Sequence, residues 1–212
     1  DWNKAIENAA RYETATGETM GKLVAQFECE LADRARSAGD IAGARAAVAR
    51  AYAADATSVR AGMLEGRIEA EAGNDAAAIR AFERAARHDP DYLPEILPTL
   101  LACHERVGDA SGARAFLSEM SEHYRGIAPV LALTRLVEAE QGVAEGRAFL
   151  AGQLKDRPSV RGEAALIDLS LADENQVYVQ PLVNESPDDV LGILKHRRTL
   201  ATFSDSGAHV CQ

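Results

Sequence analysis

The side chains that could carry chemistry are thinly spread along this sequence. Five histidines, His88, His104, His123, His196 and His209, do not cluster at ligand spacing, and no HxH pair occurs. Activating a metal-bound water needs several histidines and a further acid around one ion. The HExxH of zinc proteases, the GxSxG of a serine nucleophile and the GxxxxGK of a phosphate loop are absent as well. Cys29, Cys103 and Cys211 are odd in number and outside any CxxC pair, which argues against a disulfide framework and fits a reducing compartment. Cys29 and Cys103 fall within helical patterns, where a free thiol behaves as a small buried hydrophobe. The expectation is a chain with no metal, no cofactor and no enzymatic activity.

What remains is binding. By helical register, Gln26, Asp33 and Arg36 of one helix and Arg60, Met63 and Arg67 of a later one should share an inward face. Mixed charge with one flexible thioether suits recognition of a peptide or a folded protein surface. The asparagines Asn3, Asn8, Asn74, Asn175 and Asn184 fall off that face, so a carboxylate clamp built from asparagine and lysine is excluded.

Those residues must be positioned by helices, and the stretch from Gly62 to Pro90 shows how. Gly66 sits where a bulky side chain would hold two helices apart, and Gly73-Asn74-Asp75 supplies a positive-φ turn and an N-cap. Ala78, Phe82 and Ala85 follow on one face, a single ring flanked by two small residues, and Pro90 stops the helix. Composition agrees. Of 212 residues 47% are hydrophobic but only 5% aromatic, which favours closely packed helices over a sandwich of bulky strands. The net charge of −10 carries no basic stripe, so nucleic acid is excluded as a partner. No apolar run approaches the ~20 residues that cross a bilayer.

The plan repeats. Moving Gly39 forward by roughly 34 residues reaches Gly73, and Ala44, Val48 and Ala51 take the places of Ala78, Phe82 and Ala85. A further step reaches Gly108-Asp109 with Ala113, Leu117 and Met120. The next reaches Gly142, with Gly146, Phe149, Leu150 and Leu154 as a looser match ending at Pro158. Residues 1–14 present Trp2, Ala5, Ile6 and Ala9 as one stripe and read as the second helix of a pair, so the sequence should start mid-repeat. The spaced Gly, Ala, Phe, Ala and Pro of residues 66–90 resemble a tetratricopeptide repeat. The expected fold is an all-α, right-handed helical-hairpin solenoid of about four pairs over residues 1–160, with a junction helix over 161–175.

More closely, the order of segments up to about Ala172 resembles the lipopolysaccharide assembly protein B family. DWNKAIENAARY, AQFECELADRA, RAGMLEGRIEAEAGNDAAAIRAFERAARHDPDY, LLACHERVGD and the run through QLKDRPSVRGEAALIDLSLA carry the likeness. The resemblance implies a cytoplasmic adaptor at the inner membrane that brings the deacetylase of lipid A synthesis to a membrane-bound AAA protease. It also implies an N-terminal anchor and a rubredoxin-like module with two CxxC pairs. Neither occurs in this sequence, so any link to the membrane would run through an anchor absent from it.

Residues 176–212 lose the period and form a short mixed α/β tail. Ser186-Pro187-Asp188-Asp189 should start a helix, and residues 199–204, TLATFS, read as a strand. This tail resembles the late barrel segment of zinc-dependent amidohydrolases of the N-acyl-D-amino-acid deacylase kind, through its SDSGAH motif. That likeness implies Asp205 as proton carrier in an alternative, enzymatic reading.

Overall fold

A computed structural model of the chain describes residues 1–171. The expected tail, with Ser186, the strand over residues 199–204 and Asp205, lies outside them, as do Cys211 and the end of the expected junction. Ten α-helices form among the described residues, and no strand does. They are α1 (Trp2–Thr16), α2 (Gly21–Ser37), α3 (Ile41–Ala54), α4 (Val59–Glu71), α5 (Asp75–His88), α6 (Leu93–Val107), α7 (Ala110–His123), α8 (Ala128–Gln141), α9 (Val143–Asp156) and α10 (Val160–Leu171). Each packs on its neighbour in the chain, so α2/α3, α4/α5, α6/α7 and α8/α9 make four hairpins. The first helices also touch in succession, α2 on α4, α4 on α6 and α6 on α8, forming one layer. This is the expected all-α helical-hairpin solenoid.

The turn inside each hairpin is the same device used repeatedly. Gly39, Gly73 and Gly108 hold φ of 76°, 76° and 72°, a left-handed conformation that a β-carbon opposes. The next residue's N–H then reaches back five residues to the carbonyls of Ala35, Glu69 and His104, at 2.9, 2.8 and 2.9 Å. That bond closes a Schellman motif and occupies carbonyls the ending helix cannot use. Asp40 and Asp109 cap the following helix by accepting from the N–H of Gly43 and Gly112, at 2.8 and 2.9 Å.

Asn74 occupies the same position but makes no cap bond with its side chain, contrary to the sequence expectation. Its Nδ2 donates to Glu69 Oε2 at 2.9 Å instead. The three turns also differ three residues on. A β-carbon at Gly43 or Gly112 would collide with the capping carboxylate, and the second hairpin has Ala77 there.

Between hairpins the chain stops as expected at Pro90, where Pro90–Tyr92 form a 3₁₀ turn and the Asp89 carboxylate accepts from Asp91 N–H at 3.1 Å. Ala78, Phe82, Ala85, Ala44, Val48, Ala51, Ala113, Leu117 and Met120 are all buried, so the period read from the sequence is the period of the core. Trp2 of α1 stacks on Phe27 of α2 with ring centroids 5.5 Å apart. Cys29 and Cys103 are buried free thiols.

The tightest seam is between α4 and α5. A β-carbon at Gly66 would lie 2.5 Å from Cε1 of Phe82, whose ring is 1% exposed. Gly66→Ala should therefore destabilise the chain: overlap with a packed ring costs about 1–3 kcal/mol, while the better helix propensity of alanine returns at most about 1 kcal/mol. In urea unfolding, Gly66→Ala should cost less in a Phe82→Leu background than alone. Equal costs in both backgrounds would show that the ring does not set the approach of the two helices.

Candidate binding face

The first-helix layer carries the candidate site, because α2, α4 and α6 together line a depression on it. Asp33 of α2, Arg60, Met63, Leu64 and Arg67 of α4, Tyr92 of the 3₁₀ turn and Glu95 of α6 line a depression of about 230 Å³. Four of the six residues expected on the inward face meet there: Asp33, Arg60, Met63 and Arg67. Gln26 and Arg36 are not in the lining; both lie half-buried on α2. Met63 lines the depression but is only 7% exposed and packs into the central core. It thus offers little free thioether to a partner.

The arginines are already engaged. Arg36 donates to Asp33 Oδ1 at 3.0 and 2.8 Å and to Glu71 Oε1 at 2.6 Å, joining α2 to α4. Its hydrogen bond to Asp33 holds the guanidinium pKa above its ordinary value. Arg60 pairs with Glu30 at 2.6 Å, and Arg67 of α4 with Glu95 of α6. Partly exposed pairs of this kind contribute about 0–1 kcal/mol each. Their effect here is to cancel charge along the face and to hold successive first helices in register. Glu30, Glu71 and Glu95 were not foreseen, although opposite charges about one repeat apart were visible in the sequence.

Similar pairs tie first to second helices. Arg45 of α3 grips Glu69 of α4 through two bonds of 2.7 and 2.8 Å, and Arg106 of α6 holds Asp75 of α5. These bonds lower the pKa of Glu69 and of Asp75. Arg87 of α5 does the same for Glu119 of α7 while lying 5.5 Å over the Phe116 ring. Tyr52 is pushed up to about 12, first by burial; its hydroxyl donates to Glu65 at 2.9 Å and accepts from Arg84 at 3.0 Å. Cys103 is raised to about 11, again chiefly by burial, so its thiol stays protonated. His104 is buried in α6 with Nδ1 3.2 Å from the Asp109 carbonyl. Among the described residues no group of three or more His, Cys, Asp or Glu side chains could hold a metal.

Glu28 stands apart because it is 6% exposed, and Arg50 reaches it from α3 at 2.9 and 2.8 Å. Arg50→Ala would leave that carboxylate buried without a cation, which should cost about 1–3 kcal/mol. Arg60→Ala, which breaks an exposed pair, should cost under about 1 kcal/mol. Urea midpoints of the two variants measure the difference, and a reversed order would refute it. A second expectation concerns acid. Glu69, Asp75 and Glu119 favour their charged forms in the folded chain, so they stabilise it above the ordinary values of 4.5 and 3.8. That contribution is lost as pH falls through the lowered folded values. Glu69→Gln should shrink the drop in urea midpoint between neutral and strongly acidic pH; an unchanged drop would rule Glu69 out as a contributor.

No family model matches the chain. It is 27% identical over 192 residues to lipopolysaccharide assembly protein B of Escherichia coli K12, covering 87% of this chain and 49% of that protein. The protein of the same name from Haemophilus influenzae is 26% identical over 159 residues, 75% of this chain and 40% of its own length. The chain thus spans about half the length, or less, of the curated relatives it matches. Along most of its length, this array of helical hairpins is homologous to lipopolysaccharide assembly protein B.

Proposed function

We propose that the chain is a protein-binding adaptor in the regulation of lipopolysaccharide biosynthesis, and that its first-helix layer is the binding surface. The observation that carries this reading is the pairing of that layer with relatives named for lipopolysaccharide assembly. A stack of hairpins offers an extended surface of side chains, suited to gripping another polypeptide along its length. In the finer form of the proposal, the adaptor presents the deacetylase of lipid A synthesis to a membrane-bound AAA protease at the cytoplasmic face of the bacterial inner membrane. No described helix is long and apolar enough to cross a membrane, so the described hairpins would act beside the bilayer.

Deleting the gene should lengthen the half-life of the deacetylase after synthesis is blocked, and restoring the full-length protein should shorten it again. A half-life that does not change on deletion would refute the link to deacetylase turnover.

A further inference from the structure

Further along the same layer its chemistry changes. Between α6 and α8, Pro94, Leu97, Pro98 and Leu101 face Ala128 and Leu131 across a trough of about 170 Å³. Ala132 and Arg135 of α8 and Arg161 of α10 complete its lining. Both are exposed, and among the described residues neither has an ion-pair or hydrogen-bond partner. Arg36, Arg60 and Arg67, on the earlier part of the layer, are all paired with acids.

The trough combines an apolar floor with two guanidiniums that have no ion-pair partner among the described residues.

We infer that this trough docks an extended protein segment in which apolar side chains alternate with aspartate or glutamate. The inference rests on the proposed binding role of the layer and names the chemistry of its partner. Apolar side chains would fill the trough, and carboxylates would pair with Arg135 and Arg161. The volume is below that of a small-molecule pocket and suits side chains entering from a chain lying along the surface. The net charge of −10 disfavours a long anionic strand or bilayer, whereas a short acidic segment carries few enough charges for two local arginines to hold it. Arg135 also borders a second depression containing Glu138 and Asp168, neither within ion-pair distance of it. Those carboxylates would repel an acid placed on their side of Arg135, confining the acids of the segment to the trough side.

The test is selection of a random short-peptide library on the full chain, followed by binding of the selected peptides in solution. Enriched sequences should interleave acids with apolar residues and bind less tightly as salt rises. Arg135→Glu with Arg161→Glu should weaken them about tenfold or more, with the thermal midpoint unchanged. The charge-matched pair Arg11→Glu with Arg80→Glu, on second helices α1 and α5, should bind as the parent does. Basic or uncharged consensus sequences, or binding that survives the Arg135/Arg161 variant, would overturn the inference. Loss confined to Arg60→Glu with Arg67→Glu would place the grip between α2 and α6, sinking the trough but not the binding layer. Failure to enrich any sequence would count against both.

Discussion

The structure depends on how closely α4 can approach α5, and that distance is set by the absence of one side chain. Gly66 leaves room for the Phe82 ring, and the ring in turn joins the central core that extends from α4 to α8. The other side of α4, through Leu64 and Ile68, belongs to the core of α2 and α3. One helix thus closes two hydrophobic clusters, and the glycine lets it do so. In an array where each hairpin touches only its neighbours, stability passes along the chain through such seams. A fault at α4 would therefore divide the array, whereas a fault near α1 would fray one end.

The ion pairs act on a different scale. Each is weak by itself, but they span helices: Arg36 to Glu71, Arg60 to Glu30, Arg67 to Glu95, Arg106 to Asp75, Arg114 to Glu140. Burial of alanine and leucine is non-directional, and small side chains permit sliding. Charge pairs do not, because each guanidinium fits its carboxylate at one register. The apolar core holds the hairpins together, and the pairs choose how they align.

Periodicity made the helices, turns and core residues legible from sequence, since glycine, small and large positions recur at a fixed spacing. Local rules gave Asp40 and Asp109 their caps but not the side-chain bond at Asn74, whose amide is drawn to Glu69 on the preceding helix. Register put Asp33, Arg60, Met63 and Arg67 on one face, and the four line one depression. It could not show that the arginines are paired, since the partners lie on neighbouring helices, nor that Met63 turns into the core. The prolines of α6 went unread as part of a surface because proline ordinarily argues against a helix, and here Pro94 opens one while Pro98 interrupts its bonding.

The two halves of the layer face opposite requirements, and their chemistry follows. Between α2 and α6, a partner would have to break existing pairs before making its own, so the gain in contact is offset by the loss of Arg36, Arg60 and Arg67 bonds. Between α6 and α10, Arg135 and Arg161 have no ion-pair partner among the described residues, and the apolar floor is already formed. Binding there requires little rearrangement, and an incoming carboxylate meets a charge that is not yet answered. If the trough is the docking site proposed above, alignment and recognition are separated in space: the paired half fixes the geometry of the array, and the half with unpaired arginines engages the partner.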